Sequence, residues 1–517
     1  MNNIKIIGGG TAGWMTAATL ISQFPDKKIT LIESPNISTV GVGESTIGQI
    51  NRWLALLGIK DQEWMSHCDA TYKLSIRFKD FFRKDSDAFH YPFGQPYIRE
   101  NMDGVNDWYF KKFLYPDTPT SNYSECLFPQ MALVDNNTMS SNEDGKLPGF
   151  DFRQDVAYQF DATKFGLWLK EHYCLPRGVH HILSEVTDVK VNDDIGVEHI
   201  VLDDGRKIEA DLFIDCTGFK ALLIGESLKE PFETFEKILP NNAAWATKIP
   251  YENKEEELVN YTNCTAVGNG WIWEIPLWSR LGCGYVYSDK YISDDDALVE
   301  LKQYLEQRNI KNIDGLNFKQ IPMKTGVHKR LWVKNVCAIG LSAGFIEPLE
   351  SNGLFTVHEF LRNLVRVLQR GAISQWDRDT FSISSRSLLQ DFCEFVALHF
   401  AFSHRDDTEY WRDVTNREYV EHHTDDLVHL SHTAIHDKMR TYHYKLTQGL
   451  HCIATGMNVF PLDFSTVQAI DGSTEKLFYE KKWSRAISEM NNRKESWDLL
   501  AKNAKSHTEF LQDQIYV

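Results

Sequence analysis

An α/β fold is predicted for this chain of 517 residues, with a parallel-sheet domain interleaved with a β-rich region and followed by a helical carboxy-terminal module. Three features predict it. A strand–glycine turn–helix–strand unit opens the chain, period-two alternation runs through its middle, and helical patterning takes over after Gly353. In the opening unit Ile4-Lys5-Ile6-Ile7 is a short buried strand. Ala12 to Leu20 is a helix of small and apolar residues, and Lys28 to Ile32 is a second strand that ends at Glu33. The turn is Gly8-Gly9-Gly10-Thr11-Ala12-Gly13. Gly8 allows a tight turn, Gly10 lets a pyrophosphate approach the backbone, and Gly13 lets helix pack on strand. Thr11 and Ala12 open the helix, whose unpaired N–H groups face the phosphates. Glu33 stands twenty residues past Gly13, where a carboxylate accepts bonds from ribose hydroxyls.

Later segments decide which dinucleotide is expected. Gly41-Val42-Gly43-Glu44-Ser45 is a second glycine-rich stretch, suited to run along an extended cofactor. Ala210 to Phe219, containing Asp215-Cys216-Thr217-Gly218, has the form of a strand-to-loop segment that closes an FAD site. Val336 to Phe345 reads as strand, turn and helix start, with Gly340 and Leu341 at the turn. Val186 is assigned to the same site. A single dinucleotide wedge would explain only the first segment, so FAD is favoured over NAD, with ordinary αβ turns as the alternative for the rest. The fold class is therefore α/β, an FAD-binding Rossmann-like domain of the monooxygenase type.

Between these segments, Tyr72 to Asp161 is rich in aromatic residues and loops, and Val186 to Ile214 alternates like antiparallel strands around the turn Asp203-Asp204-Gly205. Strand and loop character continues to about Lys334, and helices are expected at Leu354–Gln369, at Ser384–Phe402 and in the polar tail from Asp425. The domain reading is a core over 1–375, holding an inserted substrate region at 72–161 and the β-rich stretch at 186–334, and a helical substrate-binding module over 376–517. The formal net charge of −17 disfavours nucleic acid and anionic membranes as partners. No apolar run is long enough to span a bilayer. Nine scattered cysteines, an odd number without a C-x-x-C pair, fit a reducing cytoplasm.

Two segments carry the chemistry. Trp271 and Trp273 lie two residues apart, so on a strand both indoles face one side and build a wall. Lys73 sits in the alternating run Tyr72-Lys73-Leu74-Ser75-Ile76-Arg77-Phe78, expected on one face with Ser75 and Arg77. By themselves these read as core packing and a solvated lysine. The extension Trp271-Ile272-Trp273-Glu274-Ile275-Pro276, however, resembles the W-x-W-x-I-P signature of the flavin-dependent halogenases, the tryptophan-halogenase family. Phe345-Ile346-Glu347-Pro348-Leu349-Glu350-Ser351-Asn352-Gly353 is close to that family's E-P-L-E-S-T-G. The pattern His399…Arg405-Asp406-Asp407-Thr408…Trp411 is similar to its helix-and-turn segment.

The resemblance implies a two-component enzyme. A separate flavin reductase supplies FADH2, since the chain shows no second nucleotide loop, and O2 and halide then yield hypohalous acid. Trp271 and Trp273 keep substrate from the flavin, and Lys73 receives the oxidant by hydrogen bonding or as a haloamine, the neutral amine being the better nucleophile. Glu350 supports attack by an electron-rich indole- or phenol-type arene. The amides of Asn352 and Gly353 hold halide, and Glu347 is structural. Asn352 stands where the family has threonine, which leaves chloride, bromide and iodide open. Tyr91 falls on the family's substrate-stacking histidine position, with His90 displaced by one. An FAD-dependent aromatic hydroxylase is the alternative enzyme and a flavin-binding scaffold the non-enzyme reading. Self-association is left open. His429, His432 and His436, with His422, His423, His443 and His451 nearby, are read as an exposed polar helix, and no metal is expected.

Overall fold

The computed structural model describes residues 1–36, 43–98, 105–141, 147–417, 447–459, 474 and 476–517. Strand β1 (Asn3–Ile7), helix α1 (Thr11–Gln23) and strand β2 (Lys28–Glu33) form the opening unit as expected. They belong to a six-stranded sheet in the order Trp332–Val333, Val336–Ala338, Leu212–Asp215, β1, β2, His180–Leu183. Every pairing is parallel except that of Trp332–Val333. A parallel sheet needs both faces covered, and α1 covers one with Trp14, Met15, Ala18 and Leu20, all buried. Parallel pairing also brings Ile7, Asp215 and Ala338 into register and lets Glu33 end at the same edge. The glycine loop, Thr217–Gly218 and Gly340–Leu341 therefore emerge together, where ligands bind in sheets of this kind.

The strand expected across Tyr72 to Phe78 breaks at Leu74. Strand β3 (Thr71–Lys73) joins Ala157–Asp161 and Gly43–Ser45 in a three-stranded sheet, while β4 (Ser75–Lys79) enters a seven-stranded one. Leu74 N donates to Asn260 O at 2.8 Å and its carbonyl accepts from Phe93 N at 3.0 Å, which pins the break. Lys73 therefore does not share a sheet face with Ser75 and Arg77. The seven-stranded sheet runs Phe89–Pro92, β4, β5 (Tyr261–Val267), β6 (Gly270–Pro276), β7 (Leu281–Tyr287), Ala243–Ile249, Lys319–Pro322. All seven residues of β6 are buried, so alternation there separates two interior faces rather than core from solvent.

Four helices depart from the strand-and-loop expectation. Val105–Leu114, Asn122–Leu127 and Gln130–Asn136 lie in the aromatic region. Asp294–Gln307 lies in the β-rich stretch, where Ser293 accepts from Asp296 N and three acids stand in the first turn, favourable at the positive end of a helix. Helix α2 (Gly353–Leu368) matches the expected position. Helix α3 (Gln375–Ala401) begins nine residues earlier than expected because Ser374 and Asp377 form a capping box. Helix α4 (Thr447–Gly456) follows, and Lys476–Lys502 and His507–Gln514 close the chain. Trp483, Met490, Trp497 and Phe510 from these last helices are buried in the same cluster as Ile4 and Ile6. Among the described residues no helix is long and apolar enough to cross a membrane.

Candidate active site

At the carboxyl edge of the parallel sheet, the glycine loop is packed too tightly for side chains. Gly8 has φ of +114°, and a methyl group on it would collide with the Cys216 carbonyl, while one on Gly13 would collide with the Gly8 carbonyl. Gly10 caps α1 without a side-chain bond, and no acid stands in the first turn, so the helix amino terminus is left to an anionic ligand. Glu33 lies against Gly9, where only a glycine fits, and its Oε2 is 2.9 Å from His181 Nε2. Thr11 Oγ1 donates to Ala162 O at 2.9 Å. Asp215 stiffens the neighbouring loop, its carboxylate accepting from Thr217 N, Leu223 N and Ile224 N at 2.8–3.0 Å. Gly340, at φ +75°, faces the Ala12 methyl, and Leu341 is 39% exposed at this edge. Val186 opens the adjacent hairpin and lines a cleft with Lys220, Leu222 and Lys229. Unpaired helix amides, glycines that admit close approach and a carboxylate at the strand end fit a dinucleotide. Gly41 and Val42 lie outside the described residues; Gly43 pairs with Asp161.

Lys73 ends β3 with its side chain fully buried. Its Nζ donates to Thr46 O at 3.0 Å and to Ser351 Oγ at 2.8 Å, and lies 5.0 Å from the centre of the Phe93 ring. No carboxylate among the described residues forms an ion pair with it. Burial pushes its pKa down from 10.5 to about 7, with Cys264 and Glu350 acting in the opposite direction. An amine in this setting is available at neutral pH, which a solvated lysine is not.

Ser351 reaches Lys73 from a strained turn. The short helix Pro348–Glu350 ends at Ser351, which has φ of +55°, the left-handed region that costs a side-chain-bearing residue energy. The same turn buries Glu350, whose Oε1 lies 2.8 Å from His399 Nε2 of α3. His399 is fully buried, and its Nδ1 is 3.3 Å and 3.2 Å from the carbonyl oxygens of Phe395 and Val396. Carbonyls only accept, so Nδ1 carries hydrogen. Nε2 and the Glu350 carboxyl therefore face each other as a close polar pair in the interior.

Three residues before Glu350, Glu347 Oε2 accepts from Trp271 Nε1 at 2.7 Å and from Asn241 Nδ2 at 2.8 Å. Asn241 Nδ2 also lies 3.1 Å from Tyr410 OH. Burial pushes the Glu347 carboxyl up to about 7, against those hydrogen bonds. The Trp271 and Trp273 rings are 6.1 Å apart at 58°, Trp273 lying over Gly284, where no side chain fits. Glu347 thus fixes one indole of the wall, a role its sequence position did not announce. Removing its carboxyl in Glu347→Ala strands two buried donors and is expected to cost about 1–3 kcal/mol. Glu347→Gln keeps an acceptor and is expected to lose less. Equal losses for both variants in urea unfolding would show that these bonds do not set the stability.

Segment 347–353 therefore organises the predicted residues: Glu347 holds Trp271, Glu350 meets His399, Ser351 holds Lys73, and Asn352 and Gly353 open α2. The Lys73 amine touches Ser351, the residue next to Asn352. On the other side, Tyr91 packs against Phe395 and Phe93 with ring centres 6.0 Å and 6.3 Å away. Helix α4 approaches so closely that a methyl on Gly449 would crowd the Tyr91 and Phe395 rings. Tyr91 and Cys452 both lie within the field of Glu350, whereas His90 turns to Ser75 Oγ at 2.9 Å. Of the histidines read as an exposed helix, only His451 is described. It is half-buried, and desolvation pushes it down to about 4, so full exposure does not hold there; the others lie outside the described residues.

The tryptophan halogenase family model matches residues 3–505. This chain belongs to the tryptophan halogenase family. It is 35% identical to the 7-chloro-L-tryptophan 6-halogenase KtzR of Kutzneria sp. (strain 744) over 433 residues, covering 80% of this chain and 81% of that one. Among solved structures, the apo structure of VirX1 superposes with a TM-score of 0.92 and 39% identity, covering 100% of both chains. Tar14, a tryptophan C-6 flavin-dependent halogenase (chlorinase) from taromycin biosynthesis, gives a TM-score of 0.86 and 30% identity over 99% of this chain and 100% of that one. The halogenase fold is thus an α/β FAD-type domain joined to a helical carboxy-terminal region. Thr46 and Asn241 lie outside the quoted sequence motifs, and Ser351 and His399 lie within them without an expected role; all four come from distant parts of the chain.

Proposed function

We propose that this halogenase takes reduced FAD from a separate flavin reductase, together with O2 and halide, and halogenates an electron-rich arene, of the tryptophan type or a phenol. What supports this is the buried, uncharged-prone amine of Lys73, tied through Ser351 to the turn that carries Glu350 and the α2 amino terminus. The glycine loop with Thr11, Ala12 and Glu33, together with Gly43, Val186, Gly340 and Leu341, would hold FAD, which when reduced would activate O2, the oxidant that turns halide into hypohalous acid. Gly13→Ala is expected to abolish FAD binding in a fluorescence titration, because the added methyl has only the Gly8 carbonyl to displace; retained affinity would refute the assignment.

The chain's own residues do the rest. Asn352 and Gly353 present amides for halide at the α2 amino terminus. Trp271 and Trp273 wall off the arene. Neutral Lys73 accepts the electrophilic halogen, releasing water, or holds hypohalous acid by hydrogen bonds. Tyr91 and Phe93 provide apolar rings on the arene side. The Glu350 carboxylate, beside His399, stabilises the cationic ring and takes its proton. Incubation with reduced FAD, chloride, bromide or iodide, and indole or phenol substrates is expected to give halogenated product by mass spectrometry. Hydroxylated product formed without halide would overturn the reading in favour of a hydroxylase.

A further inference from the structure

We propose that the side-chain amide of Asn352 is itself a halide ligand and biases this halogenase toward bromide over chloride. The inference rests on the halogenase reading above and deepens it. Asn352 is the N-cap residue of α2, a helix of 16 residues, yet its side chain makes no capping bond. It is 2% exposed, and its Nδ2 has no hydrogen-bond partner. A buried amide donor left without an acceptor costs stability unless something accepts from it. Its position at the amino terminus of a long helix, where first-turn N–H groups are also without intrahelical acceptors, makes that acceptor an anion. The backbone there is not crowded: the one atom within 4 Å of a methyl on Gly353 would be Glu44 Oε2, 3.8 Å away. The Glu44 carboxyl faces the same space, and the Lys73 amine stands behind Ser351, supplying a positive field when protonated.

The direction of the bias follows from where the donor sits. An amide nitrogen on Cγ stands one bond farther from the backbone than a hydroxyl on Cβ, so the cradle formed with the helix amides is wide. A wide cradle of neutral N–H donors suits the larger halide, which gives up less hydration on entering a buried site.

The test compares wild type with Asn352→Ala and Asn352→Thr in equimolar chloride and bromide, reading the ratio of brominated to chlorinated product by mass spectrometry. Bromide affinity is read separately, from quadrupolar NMR line broadening on protein without arene, and an FAD titration shows that each variant is folded. Wild type is expected to favour bromide, and both variants to lower the product ratio about tenfold while weakening bromide binding about tenfold. Ratio and affinity within twofold of wild type in both folded variants would overturn the assignment. If wild type yields no halogenated product at all, the functional reading fails, and the NMR titration still decides the ligand role of Asn352: unchanged broadening in Asn352→Ala rejects it.

Discussion

Lys73→Ala protein is expected to lose halogenation by roughly 10²- to 10⁴-fold, the range for removing a positioned acid–base or nucleophilic group, while still binding FAD and still producing hypohalous acid that a thiol trap detects. The expectation rests on the isolation of Nζ, which has Thr46 O and Ser351 Oγ as partners and no carboxylate. The wild-type rate should carry an ascending limb as pH rises through about 7, where the buried amine loses its proton, and the variant's residual rate should lack it. Linkage gives a second, independent readout. The folded pKa lies below the unfolded value of 10.5, so between the two the unfolded chain binds more protons and stability rises with pH. The cost of burying the amine is fully present below about 7. Lys73→Met is therefore expected to resist urea better than wild type at pH 6 and to lose that advantage above pH 10. Normal halogenation by Lys73→Ala would refute the role given to this residue.

How much of this was legible in the residues differs from one part of the molecule to another. The cofactor domain was readable because its glycines answer a local geometric demand: Gly8 takes a positive φ and Gly13 leaves no room for a methyl. The Trp271–Trp273 wall was readable as a strand pair, yet burial of all of β6 removes the polar–apolar contrast that normally fixes which face matters. The break at Leu74 was not legible, since Thr71 to Ile76 are buried without interruption and the cause is a bond to Asn260, far along the chain. Nor was the Lys73–Ser351 bond, which joins residues 278 positions apart. His399 stood out in the sequence only as part of the helix-and-turn pattern; the fold turns it toward Glu350. The helices in the aromatic region were hidden because Trp108, Tyr109 and Tyr123 are buried against other elements, so tertiary packing rather than local propensity decides their conformation.

The second large effect concerns Glu350 and His399 as a unit. Glu350→Gln preserves volume and removes the negative charge, and is expected to lower the halogenation rate roughly 10²- to 10³-fold with little change in FAD affinity. His399→Gln is expected to approach that loss without touching substrate, because Nε2 is the group 2.8 Å from Glu350 Oε1 and its removal leaves the buried carboxyl without that neighbour. Either single change already breaks the contact between the two side chains. The double variant should then be no slower than the slower single variant, as expected for residues that act together. Multiplying losses would mean that the two act separately. Structural damage is distinguished by urea unfolding and FAD titration: a purely packing role for His399 predicts that the lower rate comes with lower stability, whereas a role in placing the Glu350 carboxyl predicts a lower rate in protein as stable as wild type.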